Sequence, residues 1–214
     1  MQRVDIKICG LSTPETLSAA LRHGASHIGF VHFTKSPRHL SLEKLSGLAS
    51  LAPAHIGRVA VLVDPDDSLI QQLVATGGVS TIQLHGKESA QRAAEIRARS
   101  GLEVWKAISV KRAEDIASAN AYSGAVDRIL FDAKTPDGAA LPGGMGVRFD
   151  WALLRGYRGA LPWALSGGLD PDNVAAAIAE TGASLIDVSS GVESAPGVKD
   201  VDKIAAFCKA VTQC

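Results

Sequence analysis

Two kinds of segment, one typical of strands and one typical of helices, alternate along the chain. Short β-branched runs, typical of buried strands, occur at 4–9, 27–33, 56–63, 80–85, 102–110, 127–132, 161–166 and 184–190. Segments rich in Ala and Leu, with helical periodicity, occur at 14–24, 42–52, 67–78, 87–101, 112–124 and 171–183. Several of these segments begin with a capping residue and end at Gly, as helices do. A strand followed by a helix, repeated about eight times, predicts parallel βα units.

The number of units favours one fold within the α/β class. Eight units in 214 residues predict a (β/α)8 TIM barrel, slightly below the typical size of that fold. No linker or low-complexity stretch divides the chain, so we expect a single barrel domain over residues 1–214. A doubly wound open sheet is the alternative. It more usually has about five or six strands, and no G-x-G-x-x-G follows the first strand here.

Charge and cysteine content exclude several classes of protein. Lys and Arg number 22, as do Asp and Glu, so the net charge is zero and no basic excess suggests nucleic acid. The odd set of Cys9, Cys208 and Cys214 fits neither a disulfide framework nor a paired metal motif. No signal-peptide layout opens the chain, and no apolar run approaches the roughly 18 residues of a membrane span. We expect a soluble, cytoplasmic protein without a membrane partner.

Strand alternation predicts where the polar residues of the barrel lie. Active sites of barrels form at the C-terminal ends of the strands, and successive side chains of a strand point to opposite faces. The first strand should therefore turn Lys7 and Cys9 inward, with Cys9 at the mouth. By the same rule, polar side chains gather at the ends of four strands: Cys9, His85, Asp132 and Ser189. Alone, Cys9 is more simply a small buried hydrophobe than a reactive thiol.

Two Gly- and Ser-rich loops predict a phosphate site. SGGL (166–169) follows the seventh strand and DVSSG (187–191) ends the eighth. Gly lets backbone N–H groups approach an anion closely, and barrels often bind phosphate in these two loops. We expect the N–H groups of Gly167, Gly168, Ser190 and Gly191 to hold the phosphate, with Ser189 nearby. The alternative is that these are ordinary turn glycines.

Two further loops carry candidate functional residues. TKSPRH (34–39) follows the second strand, and its Arg38 is either an anion contact or a solvated side chain. The Gly-rich segment 133–146 follows the sixth strand and is the longest loop, which suggests a lid over the site.

Motifs in a fixed order relate the chain to a known family. They are KICG (7–10), SPR (36–38), QLHG (83–86), LFDAK (130–134), GG-x-G (143–146) with FDW (149–151), SGGL (166–169), DVSSGVE (187–193) and G-x-KD (197–200). Together they resemble the phosphoribosylanthranilate isomerase family of tryptophan biosynthesis. The resemblance implies a (β/α)8 barrel with no metal or organic cofactor. It also implies an Amadori rearrangement of N-(5-phosphoribosyl)anthranilate to 1-(2-carboxyphenylamino)-1-deoxyribulose 5-phosphate.

The resemblance also implies roles for residues of this chain. The general base is Cys9 and the general acid is Asp132. We expect Arg38 to pair with the anthranilate carboxylate of the substrate, His85 to line the pocket, and Asp187 to belong to the substrate-binding set. The partner is then a phosphorylated small molecule, and we expect a monomer rather than a homodimer.

Two positions depart from the family pattern. Met145 stands in the GG-x-G loop where Thr or Ser is common, which puts a hydroxyl contact in doubt. His32 stands in strand two where an apolar residue is usual. We expect His32 to be solvated or hydrogen-bonded rather than functional.

Other phosphate-binding barrels fit the chain less well. A ribulose-phosphate epimerase would need a metal-binding set of His and Asp, and His85 has no partner histidine at another strand end. An indole-glycerol-phosphate synthase would need a catalytic Lys and Glu set and a longer N-terminal extension. The related isomerase of histidine biosynthesis would have Asp in place of Cys9. A non-catalytic barrel that only binds a phosphorylated ligand would not need both Cys9 and Asp132.

Overall fold

Eight parallel strands form a closed barrel. The computed structural model describes residues 3–133, 146 and 148–214. Each barrel strand pairs with its neighbours in chain order, and the eighth pairs with the first. The strands are β1 (Asp5–Cys9), β2 (His27–Val31), β3 (Gly57–Leu62), β4 (Thr81–Leu84), β5 (Glu103–Val110), β6 (Arg128–Ala133), β7 (Trp163–Leu165) and β8 (Leu185–Val188). The predicted (β/α)8 barrel is confirmed, and the open sheet is wrong.

Helices surround the barrel, and six of the seven α-helices in the described residues lie at segments where the periodicity predicts them. The α-helices in the described part of the chain are α1 (Pro14–Arg22), α2 (Leu42–Ala49), α3 (Asp67–Thr76), α4 (Ala90–Ser100), α5 (Ala113–Ala117), α6 (Val174–Thr181) and α7 (Val201–Thr212). Side-chain oxygens accept backbone N–H groups in the first turns of five of them, from Thr13, Ser41, Asp66, Ser89 and Asp200. These caps satisfy donors that have no partner within a helix. None of the helices in the described ranges is both long and apolar enough to cross a membrane.

The two faces of the strands are buried in different ways. Outward residues such as Ile6 and Ile8 belong to the large apolar core between the strands and the helices. A smaller inner cluster fills the barrel below the site and consists of Val59, Trp105, Ala107, Leu130, Ala164 and Leu185. Cys9 instead packs inside the barrel against Val31 and Val61. The alternation read from the first strand is confirmed.

The predicted helix over 112–124 is shorter than its periodicity suggests. Helix α5 ends at Ala117, and a 3₁₀ helix continues from Ser118 to Tyr122. The Ser118 hydroxyl donates to the Asp115 carbonyl at 2.6 Å. Side-chain bonds of this kind compete with regular helix bonding, and a 3₁₀ turn is a common way to finish a short helix.

A hairpin follows the barrel's last strand. A 3₁₀ turn, Ser190–Val192, leads into β9 (Glu193–Ala195), which pairs antiparallel with β10 (Val198–Lys199). The pairing sets Lys199 opposite Glu193. Gly197 occupies the turn with a φ of 82°, a conformation that glycine adopts readily. The hairpin brings a carboxylate and an ammonium group to the mouth of the barrel.

Candidate active site

Cys9 ends β1 at the mouth of the barrel, beside two glycines. Only 6% of the residue is exposed. A side chain at Gly29 on the neighbouring strand would place its Cβ 3.0 Å from the Cys9 Sγ and 3.1 Å from the Lys7 Nζ. Glycine at this position therefore makes room for both groups. Gly10, with a φ of 79°, turns the chain away immediately after Cys9.

A buried ion pair lies one pleat below Cys9. The Lys7 ammonium donates to Asp187 Oδ1 at 2.8 Å, and the Ser166 hydroxyl donates to Asp187 Oδ2 at 3.3 Å. Burial alone would lower the pKa of Lys7, but the charge and hydrogen bond of Asp187 act against it, with a further contribution from Cys9 when its thiol is ionised, and the net effect raises that pKa. Lys7 therefore remains a cation inside the barrel. The structure places Asp187 in this pair; its contact with substrate stays a prediction.

The environment of the Cys9 thiol contains opposing influences. Burial raises its pKa and is the largest effect. The ammonium groups of Lys7 and Lys199 lower the pKa, while the carboxylate of Asp187 raises it. The net shift is upward, so the thiol form predominates at neutral pH. The two lysines reduce the cost of forming the thiolate when a reaction requires it.

Asp132 is held at the end of β6 by His85, the residue that directly follows β4. His85 Nε2 lies 3.2 Å from Asp132 Oδ2, and the Ala133 N–H donates to Asp132 Oδ1 at 2.9 Å. The Gln83 amide nitrogen lies 3.1 Å from His85 Nδ1. With the Gln83 amide nitrogen as the donor to His85 Nδ1, the ring carries its proton on Nε2 and donates it to Asp132. Gln83 and His85 thereby fix the orientation of the Asp132 carboxyl group.

The two loops predicted to hold phosphate are in contact. A side chain at Gly191 would overlap the Leu169 carbonyl oxygen, so the loop after β8 lies directly on the loop after β7. Gly167 and Gly168 have φ values of 93° and 64°. Asn173 Nδ2 donates to the Gly168 carbonyl at 3.0 Å and fixes the turn. The turn glycines are therefore required for loop geometry and close packing, whatever they bind.

The same glycine turn touches Asp132. A Cβ atom at Gly167 would lie 2.5 Å from the Ala133 nitrogen and 3.1 Å from Asp132 Oδ1. Ser189, at the start of the other loop, donates through its hydroxyl to the Cys9 carbonyl at 3.2 Å. The two loops therefore contact the strand ends that carry Asp132 and Cys9.

Arg38 is buried, and its guanidinium group has a partner in the chain itself. Its Nε donates to Glu193 Oε1 at 2.7 Å and its Nη2 donates to Glu193 Oε2 at 2.8 Å. The side chain crosses directly over Gly10, where a Cβ atom would lie 2.6 Å from Arg38 Cδ. The interpretation of Arg38 as a solvated loop residue is therefore wrong. Its pairing with the substrate's carboxylate stays a prediction.

Glu193 and Lys199 are buried residues that the sequence analysis did not assign to the site. Lys199 Nζ donates to Glu193 Oε1 at 2.7 Å and to the Ser189 carbonyl at 2.9 Å. Burial alone would raise the pKa of Glu193, but hydrogen bonds from Arg38 and the charge of Lys199 outweigh it and lower that pKa. Both residues lie in quoted motifs, DVSSGVE and G-x-KD, which was the available signal.

The structure tests the expectation for His32 but not the one for the lid. His32 Nδ1 bonds to the Leu40 carbonyl at 2.8 Å, so His32 is hydrogen-bonded as expected. The predicted lid, 133–146, and Met145 within it lie outside the described residues, apart from Ala133 and Gly146.

Comparison with known proteins identifies the family. Residues 6–210 match the family described as N-(5'-phosphoribosyl)anthranilate (PRA) isomerase. The chain belongs to this family. Its function is accordingly that of a phosphoribosylanthranilate isomerase, an enzyme of tryptophan biosynthesis.

Individual members of the phosphoribosylanthranilate isomerase family are similar over their full length. The chain is 56% identical over 209 residues to the isomerase of Zymomonas mobilis subsp. pomaceae, covering 97% of this chain and 98% of that one. It is 35% identical to the crystal structure of the Thermotoga maritima enzyme, with a TM-score of 0.88, and covers 99% and 100% of the two chains. A further isomerase structure contains reduced 1-(o-carboxyphenylamino)-1-deoxyribulose 5-phosphate. It is 33% identical, with a TM-score of 0.85, and the match covers 99% of this chain and 100% of that one.

Proposed function

We propose that the chain converts N-(5-phosphoribosyl)anthranilate to 1-(2-carboxyphenylamino)-1-deoxyribulose 5-phosphate with Cys9 as general base and Asp132 as general acid. One observation carries this proposal. Cys9 and Asp132 end the inward faces of β1 and β6, and each has a polar partner, the buried Lys7 and the partly buried His85 respectively. Two titratable groups in different environments are what acid–base catalysis needs.

The reaction makes two different demands on these groups. An acid protonates the furanose ring oxygen, the ring opens, and a protonated Schiff base forms between C1′ and the anthranilate nitrogen. A base then removes the proton from C2′, which gives an enolamine. Protonation of the enolamine at C1′ and loss of the hydroxyl proton yield the ketone. Asp132 protonates the ring oxygen, and Cys9 removes the proton from C2′.

The position of Asp132 suits proton donation. His85 occupies Oδ2 as a hydrogen-bond donor, which leaves Oδ1 to carry the transferable proton. The Ala133 N–H donates to Oδ1, and a hydroxyl oxygen can accept that bond as a carboxylate oxygen does. A carboxyl group fixed by donors on both oxygens loses little orientational freedom when it reacts.

The Cys9 thiol must ionise before it can act as a base. Because burial raises its pKa, the thiolate is a minor species at neutral pH. We therefore expect kcat/KM to rise with pH as the thiolate population grows. Lys7 favours the thiolate by its charge from one pleat below.

The two ends of the substrate meet different parts of the mouth. We assign the phosphate to the N–H groups of Gly167, Gly168, Ser190 and Gly191, because these two loops pack together. We assign the anthranilate carboxylate to Arg38, whose side chain crosses over Gly10, the residue directly after Cys9. The isomerase crystallised with a reduced phosphorylated product supports a phosphorylated small-molecule ligand for this chain.

One assay tests the activity directly. Phosphoribosylanthranilate is generated in the cuvette, and the loss of its fluorescence is followed after the purified protein is added. We expect loss in proportion to protein concentration, and a product that carries one deuterium at C1′ when formed in D₂O. No loss above the spontaneous decay would contradict the proposed function. Light scattering during size-exclusion chromatography tests the expected monomer.

A further inference from the structure

The hairpin after β8 contains a buried carboxylate that none of the proposed reaction steps uses. Glu193 accepts two hydrogen bonds from Arg38, one from Lys199 at 2.7 Å and one from the Gly197 N–H at 3.2 Å. Four donors on one carboxylate saturate it, so Glu193 has one position in the fold. The two cations that it contacts compensate its buried negative charge and leave the cluster with one positive charge in excess.

The geometry of the Arg38 contact is specific. Nε and Nη2 meet the two oxygens of one carboxylate at 2.7 and 2.8 Å, which is the bidentate arrangement that fixes the plane of a guanidinium group. Arg38 comes from the loop after β2, 155 residues away along the chain. Glu193 therefore fixes the orientation of a side chain from a different loop.

Lys199 extends this arrangement to the base. Its ammonium group donates to Glu193 and also to the Ser189 carbonyl at 2.9 Å. The Ser189 hydroxyl in turn donates to the Cys9 carbonyl at 3.2 Å. A continuous set of short polar contacts thus connects the Arg38 guanidinium to the backbone of Cys9.

We propose that Glu193 is a positioning residue of the isomerase reaction: it fixes the plane of the Arg38 guanidinium, and through Arg38 it orients the anthranilate end of the substrate relative to Cys9. This inference rests on the proposed role of Arg38 in binding the substrate's carboxylate. Misplacement of a reacting centre by about 1 Å can cost a large part of the rate even when the misplaced group lies far from the chemistry. Glu193 need not touch the substrate to have this effect.

A double-mutant cycle on kcat/KM tests the proposal. We expect Glu193→Gln to lower kcat/KM by about tenfold or more in the wild-type background, because the amide no longer holds both guanidinium nitrogens. In an Arg38→Ala background the same change should lower kcat/KM by less than about twofold, because the side chain through which Glu193 acts is gone. Equal losses in the two backgrounds would overturn the proposal.

Two further variants separate positioning from stability. Glu193→Asp keeps the buried charge but retracts it from Arg38. Like Glu193→Gln, it should lower kcat/KM when Arg38 is present and change it by less than about twofold in the Arg38→Ala background. Glu193→Asp therefore tests the proposal if Glu193→Gln fails to fold. Glu180→Gln makes the same chemical change in a partly exposed ion pair, between Arg155 and Glu180 of α6. It should leave kcat/KM within about twofold in both backgrounds. Turnover by the wild-type protein is measured first and tests the proposed function. The double-mutant cycle then compares active proteins and tests the positioning role of Glu193.

Discussion

Lys7 and Asp187 form a buried ion pair one pleat below Cys9, with 2.8 Å between Nζ and Oδ1. The two partners act on the thiol in opposite directions. Lys7 lowers the pKa of Cys9 and Asp187 raises it, while burial remains the largest influence. Both partners are almost completely shielded from water, so solvent screens these effects weakly.

Substitutions in this pair should shift the pKa of the Cys9 thiol in opposite directions. Lys7→Met should raise the pKa of Cys9, and Asp187→Asn should lower it. The ultraviolet absorbance of the thiolate, followed during a pH titration, measures both shifts. A background with Cys208→Ser and Cys214→Ser leaves Cys9 as the one titrating thiol. If both substitutions shifted the pKa in the same direction, changes in packing, and not the two charges, would control the pKa of the thiol.

The turn after β7 should be sensitive to a single methyl group. Gly167→Ala places a Cβ against the Ala133 nitrogen and Asp132, in a backbone with a φ of 93°. We expect kcat/KM to fall by about tenfold or more, because the turn and Asp132 must move apart. The isomerase assay measures the loss.

Gly182→Ala is the matched control for that prediction. Gly182 also has a left-handed backbone, with a φ of 68°, but its Cβ would meet no atom within 4 Å. Both substitutions should cost roughly 1–2 kcal/mol of stability from backbone strain. Only Gly167→Ala should lower turnover, and equal turnover in the two variants would remove the Gly167 turn from the site.

The buried thiol of Cys208 should make the fold sensitive to alkaline pH. Burial raises the pKa of Cys208 to about 11 from its usual value of 9.0. An unfolded chain therefore releases this proton at lower pH than the folded protein does. The contribution to stability is fully present below pH 9 and is lost as the pH rises towards 11, by up to roughly 2–3 kcal/mol.

Cys208→Ala isolates that contribution. Urea unfolding of both proteins between pH 8 and pH 11 measures it. We expect the wild-type protein to lose more stability than Cys208→Ala over this range, and turnover at neutral pH to be the same in both. Parallel pH profiles would show that Cys208 does not titrate on unfolding.

The repeated strand–helix units made the barrel predictable, and strand alternation made its inward face predictable. Cys9 and Asp132 could be placed at the mouth because inward side chains recur every second residue and active sites of barrels lie at strand ends. The loops after β7 and β8 lie side by side because their strands are neighbours in the closed barrel. These features depend on local pattern and on the closed topology.

The polar contacts between loops could not be predicted in the same way. Arg38 and Glu193 are 155 residues apart, and Lys7 and Asp187 are 180 residues apart. Nothing in the spacing of charges says which buried acid meets which buried base. The sequence therefore leaves Arg38 either in solvent or on an anion, whereas the fold provides a carboxylate for it from Glu193.

The central claim is that Cys9 removes the C2′ proton and Asp132 opens the ring. The measurement that tests it most directly compares the kcat of Cys9→Ser and Asp132→Asn with that of Cys208→Ser in the fluorescence assay. We predict that the first two lower kcat by about a hundredfold or more, with unfolding curves like the wild type, because both changes are nearly isosteric. Cys208→Ser should turn over at the wild-type rate. If Cys9→Ser kept the wild-type kcat, Cys9 would be only a small buried hydrophobe at the end of β1, and the proposed mechanism would be wrong.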